Sequence, residues 1–118
     1  MKIEKPWEFG IKQTITLCQK TYDVNAAIFL AESLPVKELE LADLNIDMHC
    51  MCKPTFRSFL EHMKSVLEAD LSYPIILNQD GAVIDGRHRI ARAIIEGRET
   101  IKAKRFLVDP PACYTEQD

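Results

Sequence analysis

Five consecutive residues, Asp85-Gly86-Arg87-His88-Arg89, form the densest group of chemically able side chains in the sequence. A glycine directly before a helix lets a phosphate approach the backbone, where the first N–H groups have no partner inside the helix and carry partial positive charge. Arg87, His88 and Arg89 add side-chain donors at the same end. Because basic residues at a helix start oppose the helix dipole, the motif predicts an anion site there.

The same residues also have a purely structural interpretation. In this alternative, Asp85 caps the helix and the two arginines lie on a solvated surface, since basic helix starts also occur by chance. Residue types alone leave both interpretations open.

The sequence around the motif predicts the elements that hold it. Pro74–Leu77 and Ala82–Ile84 are apolar runs separated by the turn sequence Asn-Gln-Asp-Gly, which predicts a β-hairpin. Helical periodicity starts after Gly86, Gly97 predicts the end of the helix, and Thr100–Leu107 predicts a closing strand. The buried face of this helix is expected to comprise Ile90, Ala93, Ile94 and Gly97, and the opposite face Arg89, Arg92 and Glu96.

This segment resembles the ParB/sulfiredoxin superfamily, whose small α+β fold is built around a strand-turn-helix phosphate site. Sulfiredoxins carry Gly-Cys-His-Arg, a helix, and then Arg-Glu-Thr-Ile-x-Ala-Lys; this chain has Gly-Arg-His-Arg at 86–89 and Arg-Glu-Thr-Ile-Lys-Ala-Lys at 98–104. A free-serine kinase branch and many ParB-like domains carry Asp-Gly-x-His-Arg, which residues 85–89 match directly. The resemblance extends over roughly Lys53–Leu107 and speaks more for the fold than for the function.

The departures from the superfamily narrow what the resemblance implies. Arg87 occupies the position of the sulfiredoxin cysteine. Without a thiolate there is no nucleophile for sulfinic-phosphate chemistry, so reductase activity is not expected. Only Asp109–Asp118 follow the core, so a helix-turn-helix segment and a complete chromosome-partitioning protein are not expected either.

The predicted fold class is α+β, a ParB/sulfiredoxin-like mixed sheet with packed helices in a single domain. We expect an N-terminal helical extension at residues 1–35, the ParB/sulfiredoxin-like domain at 36–108 and a C-terminal tail at 109–118.

The extension contains one clear helix signal. Asp23 predicts the cap of a well-buried helix that ends before Pro35, whereas Ile11–Cys18 is either a short helix or an extended segment. The extension would cover a face of the sheet or provide a homodimer surface at Ala26–Leu30.

Two further core elements are expected before the hairpin. Val36–Leu41 resembles the first core strand of the superfamily, and Pro54 is expected to begin a helix. The apolar residues that recur there at helical spacing are Phe56, Phe59, Leu60, Met63, Val66 and Leu67.

The start of the Pro54 helix offers a second set of phosphate ligands. In sulfiredoxins a lysine and a serine of the corresponding helix touch the nucleotide phosphates, which implies Lys53, Arg57 and Ser58 here. Each of the three, taken singly, is more typical of a solvated helix face.

His49-Cys50-Met51-Cys52 groups three soft ligands, but Cys-x-Cys spacing departs from that of structural zinc sites. We therefore predict no metal at this cluster and interpret it as a redox-sensitive or plain semi-buried loop.

Composition excludes several classes of protein. The chain has 118 residues, of which 47% are hydrophobic and 28% charged, typical of one ordinary globular domain. A formal net charge of −3 argues against a general nucleic-acid coat. Apolar runs are too short for a membrane span and the N-terminus lacks a signal-peptide core, so the cytoplasm is the expected location. The four cysteines are then expected to be reduced thiols.

The favoured function is a nucleotide- and phosphate-binding module with a regulatory role, in preference to an enzyme. Gly86, His88 and Arg89 would hold the phosphates of ATP, ADP or CTP, with Mg²⁺, and Arg87 would support them.

Two alternatives remain open. The first is a small phosphotransferase resembling the free-serine kinase branch, with Asp85 and His88 as weak catalytic candidates and an acidic base among Glu38, Glu40 and Asp43. The second is an accessory DNA-partitioning or nuclease-like protein, which the net charge disfavours.

Overall fold

The secondary structure alternates between strands and helices along the chain. The structure, a computed structural model, describes residues 14–17, 20–47, 55–110 and 114–115. In chain order the helices and strands are β1 (Thr14–Leu17), β2 (Lys20–Asp23), α1 (Val24–Leu30), β3 (Lys37–Glu40), α2 (Phe56–Leu67), β4 (Ile75–Leu77), β5 (Val83–Asp85), α3 (Arg87–Ile95), β6 (Thr100–Arg105) and β7 (Tyr114–Thr115). Short 3-10 turns follow α1 and β3, at Ala31–Ser33 and Leu41–Asp43.

A four-stranded mixed sheet with the order β3-β6-β4-β5 lies at the centre of the fold. β4 and β6 are parallel, and both edge strands pair antiparallel with their neighbours. β1, β2 and β7 form a separate three-stranded sheet. The predicted α+β class with a mixed sheet and packed helices is therefore confirmed.

Alternating residues of the central strands supply two apolar cores, because successive side chains of a strand point to opposite faces. Ile75 and Leu77 pack with Ile90 and Ala93 of α3 on one face. Ile76 packs on the other face, in a cluster that also contains Ala27, Ala31, Ile84 and Phe106. The sheet is thus covered by α3 on one side and by α1 on the other.

The predicted hairpin is confirmed. Asn78 is buried in its turn, and its side-chain Oδ1 accepts hydrogen bonds from the backbone N–H groups of Asp80 and Ala82, at 3.0 and 2.8 Å. Gly81 has a φ of 87°, a left-handed conformation that glycine adopts without steric cost.

Helix α1 of the N-terminal extension covers one face of the central sheet, which is one of the two alternatives predicted for the extension. Asp23 caps α1, since its Oδ1 accepts a hydrogen bond from the N–H of Ala26 at 3.1 Å. Lys104 Nζ of β6 donates to the carbonyl of Ala31 at 3.0 Å, just beyond the other end of this helix. The prediction of a well-buried helix is wrong, because Ala27 is buried but Phe29 is 70% exposed, so α1 buries only one face.

The segments expected as extension and tail pair with each other. Lys20 and Thr21 of β2 lie opposite Thr115 and Tyr114 of β7. Thr14–Leu17 is a strand, which is the extended alternative for that segment.

Helix α3 begins and ends where the two glycines predict. The N–H of Gly97 donates to the carbonyl of Ile94, and that of Arg98 donates to the carbonyl of Ala93, both of which are bonds of a Schellman motif. Ile90 and Ala93 are buried as predicted. The prediction is wrong for the other two residues of that face, because Ile94 is 43% exposed and Gly97 is also exposed.

Helix α2 packs beside α3. It begins at Phe56 with Thr55 as its cap, so its predicted first residue, Pro54, precedes the helix and lies outside the described residues. Its only buried residue is Ser65. Strand β3 and strand β6 match the predicted Val36–Leu41 and Thr100–Leu107 with shorter ends.

Several predicted features fall outside the described part of the chain. These are Lys53, the cluster at residues 49–52, and the cysteines at 18 and 113. Of the described helices, none has the length and hydropathy that crossing a membrane requires.

Substituting Gly86 by alanine should be much more destabilising than the same change at Gly97. At Gly86, with φ of 115°, an added Cβ would lie 2.4 Å from Ile75 Cγ2. Backbone strain and overpacking together should lower the free energy of unfolding by about 3 kcal/mol. At Gly97, with φ of 76°, a Cβ meets no atom within 4 Å.

Gly97→Ala is therefore the matched control and should cost only the left-handed conformation, about 1 kcal/mol. Urea unfolding of both variants measures the difference. Equal losses would show that the close approach to Ile75 is unimportant.

Candidate functional site

Gly86 connects the end of β5 to the start of α3 in a conformation that other residues rarely adopt. Two independent constraints require glycine there: the positive φ, and the contact with Ile75, whose Cβ would lie 2.8 Å from an added Cβ. The helix consequently starts directly against β4. This helix start, where the sequence predicts an anion site, follows β5, an edge strand of the sheet.

The three helices differ in how their N-termini are capped. The side chains of Asp23 and Thr55 cap α1 and α2, each with an oxygen 3.1 Å from a backbone nitrogen of the first turn. Within the described residues, no side chain accepts a hydrogen bond at the Gly86 cap of α3. The helix start that carries the sequence motif is thus the one without a side-chain acceptor.

The structural alternative, in which Asp85 caps α3, is wrong. Its carboxylate forms an ion pair with the guanidinium of Arg89, one turn further along the helix. Arg89 also donates from Nη1 to the carbonyl oxygen of Pro74, at 3.3 Å. The Arg89 side chain is only 17% exposed and joins the end of β5, the start of β4 and α3. Its geometry therefore stabilises the turn.

His88 contacts a second histidine that the sequence motif does not include. His88 Nε2 lies 2.8 Å from His62 Nδ1 on α2, and the ring centroids are 5.1 Å apart. Burial lowers the pKa of His88 to about 4, with further contributions from His62, Arg89 and Arg87. At neutral pH His88 is therefore uncharged, and one ring nitrogen of the pair donates to the other.

The contacts between α2 and α3 place the N-termini of both helices at the same end of the helix pair. His62 meets His88 near the start of α3, while Arg92, one turn later, donates to the carbonyls of Leu67 and Ala69 at 2.7 and 2.8 Å. The two helices therefore run in the same direction, and both positive dipole ends face one side.

Two of the residues expected from the second helix lie in its first turn. Arg57 is exposed and Ser58 is half-buried. The Ser58 backbone N–H already donates to Thr55 Oγ1. Lys53, the third residue of this set, lies outside the described residues.

The acidic residues considered as a catalytic base are far from the motif. Glu38 and Glu40 lie on β3, the edge strand opposite β5, and both are exposed. Three strand spacings of about 4.8 Å separate that edge from Asp85. Asp43, which is also exposed, follows in the 3-10 turn after β3. The sheet order therefore separates these carboxylates from Gly86–Arg89.

A cleft of about 580 Å³ lies at the opposite, C-terminal ends of α2 and α3. Arg92, Arg98 and Glu96 contribute to its lining, and hydrogen bonds from Arg92 and then Arg98 lower the pKa of Glu96. The lining as a whole has three basic and three acidic side chains, so the cleft does not add to the anion site; they are Arg92, Arg98, Lys102, Glu68, Asp70 and Glu96.

Among the described residues, no group of three or more histidine, cysteine, aspartate or glutamate side chains is arranged to hold a metal ion.

Comparison of the chain with protein-family models, curated proteins and solved structures finds no match. The functional argument therefore depends on the site itself.

His62 could have been found from the sequence by its spacing. Ser58, His62 and Ser65 recur on one face of the α2 helix, opposite the apolar residues. What the spacing does not show is that this polar face packs against α3, because that choice depends on tertiary contacts.

The histidine pair gives a pH-dependent prediction. In the folded chain His88 should titrate near pH 4 instead of 6.5. Because the unfolded chain binds this proton at higher pH, stability is complete above pH 6.5 and decreases as the pH falls from 6.5 towards 4. NMR titration of the His88 ring measures the pKa directly.

The His62→Gln variant tests the cause of the low pKa. It removes the interaction with His62, the second-largest cause after burial, and should raise the pKa of His88 part of the way towards its usual value. A wild-type His88 that titrates near its usual value would contradict the pair as described.

Proposed function

We propose that this chain is a phosphate-binding domain that holds a nucleotide at the Gly86–Arg89 helix start. The supporting observation is the contrast between helix N-termini: α1 and α2 have side-chain caps, whereas α3 begins at a left-handed glycine with no side-chain acceptor among the described residues. A phosphate oxygen would accept hydrogen bonds from the first-turn N–H groups and interact favourably with the helix dipole.

Each residue of the motif would have a separate task. Gly86 leaves room for the phosphate at the backbone. Arg87, half-buried in the first turn, supplies positive charge. Arg89 holds the turn through Asp85 and Pro74, and its charge also contributes at long range.

His88 would take part as a neutral donor or through proton uptake. Its low pKa arises from burial and from positive neighbours. A phosphate at the helix start would introduce negative charge beside the ring and raise the pKa of His88. Nucleotide binding would then be coupled to proton uptake by the histidine pair, and binding would be tighter at lower pH within the range where the protein is folded.

The resemblance to the ParB/sulfiredoxin superfamily supports this proposal and suggests the ligand class. It implies ATP, ADP or CTP with Mg²⁺, bound in a regulatory role. The phosphotransferase alternative gains no support from the site geometry, since the Asp85 carboxylate is paired with Arg89 and the acidic residues of β3 lie at the far edge of the sheet.

Nucleotide binding should be visible as thermal stabilisation. Titration with ATP, ADP, CTP and GTP, with and without Mg²⁺, should raise the free energy of unfolding by about 2.7 kcal/mol at 100 times the dissociation constant. Arg87→Ala should reduce the affinity by about tenfold, because a charge-assisted contact contributes roughly 1.5 kcal/mol.

Arg98→Ala removes the same charge beyond the other end of α3 and is the matched control; it should leave the affinity unchanged. Absence of stabilisation by every nucleotide would overturn the proposal. Equal losses in the two variants would show nonspecific attraction to positive charge.

A further inference from the structure

Helix α2 presents its apolar side to solvent. Phe56, Phe59, Met63 and Leu67 are 75%, 46%, 40% and 68% exposed, and their spacing places them on one face of the helix. We call these four residues the apolar stripe. Phe56 and Phe59 stack on each other, with ring centroids 6.4 Å apart, so the stripe is locally ordered.

The opposite face of α2 packs inward although it is polar. Ser65 is 2% exposed and its hydroxyl donates to the carbonyl of Glu61 at 2.9 Å, while His62 contacts His88 of α3. An amphipathic helix ordinarily buries its apolar face. Large exposed apolar patches on a folded chain mark interaction surfaces, so we expect the stripe to contact a partner.

Charged residues alternate in sign along one flank of the stripe: Arg57, Glu61, Lys64 and Glu68. Their order is unfavourable for an isolated helix. A basic residue lies near the N-terminus and an acidic one at the C-cap, against the helix dipole. The i,i+4 pairs also place the basic residue before the acidic one, which is the weaker orientation.

The same order is favourable if a second, antiparallel α2 lies alongside. Residues on one flank of a helix then meet the same flank of its partner, in reverse order. Arg57 would lie opposite Glu68 of the second copy, and Glu61 opposite Lys64 of the second copy. The twofold axis repeats both pairs, and each helix end then lies beside charge of the sign that its dipole favours.

We propose that two copies of this chain associate through an antiparallel pairing of their α2 helices, with the apolar stripes in contact and the flanking charges matched. The self-complementary charge order is the reason for choosing a second copy as the partner. A parallel pairing would instead place these charges beside the opposite flank, where His62 and Val66 lie. This surface differs from the predicted homodimer surface at Ala26–Leu30.

Analytical ultracentrifugation of the full chain tests the association. The wild type should sediment as a dimer whose dissociation depends on concentration. Met63→Glu places a carboxylate in the centre of the stripe and should give a monomer. Because Met63 is exposed, circular dichroism should show an unchanged fold. Lys37→Glu changes an exposed charge on the edge strand β3 instead and should leave the dimer intact.

Charge reversal tests the antiparallel order. Arg57→Glu and Glu68→Arg should each weaken the dimer by about tenfold, because like charges then face each other across the interface. The double variant should restore wild-type affinity. If these charges acted only within their own helix, the single variants would not weaken the dimer. They would instead stabilise the helix, since an acidic residue near the N-terminus is favourable in an isolated helix.

A wild type that stays monomeric up to millimolar concentration would overturn the proposal. So would single variants that weaken the dimer without restoration in the double variant, because the charges would then not face each other in the proposed order.

Discussion

The contact between Gly86 and Ile75 is the constraint on which the rest of the site depends. Because an added Cβ would lie 2.4 Å from Ile75 Cγ2, α3 can start against β4 only if its cap residue is glycine. The close approach packs Ile90 and Ala93 onto the sheet and directs the helix start to its edge. The interaction that fixes the fold therefore also leaves backbone donors without a side-chain cap at one position.

Two residues of the motif, Arg89 and His88, connect the start of α3 to neighbouring elements. Arg89 joins β4, β5 and α3 through Pro74 and Asp85, so its substitution would affect folding before binding. His88 is held neutral by burial and by its neighbours, and it is linked to α2 through His62. A ligand bound here, as proposed, would therefore couple its binding to the stability of the fold, which suits the proposed regulatory role better than a chemical step.

Local signals in the sequence predicted the local structure. The glycines at 86 and 97 and the cap at Asp23 act within a few residues, so their outcome could be inferred without knowing the fold. The contact between His62 and His88 spans 26 residues, and the 43% exposure of Ile94 depends on how α3 packs in the folded chain. Neither feature could be inferred from local spacing. The packing of the polar face of α2 against the fold could not be inferred either, because it too depends on tertiary contacts.

Backbone NMR during a phosphate titration tests the central claim most directly. If the α3 start binds the anion, the amide signals of Gly86, Arg87, His88 and Arg89 should shift together and saturate, while those at the capped start of α1 stay unchanged. Shifts confined to the arginines at the other end of α3, or no saturable shift at Gly86–Arg89, would contradict an anion site at this helix start.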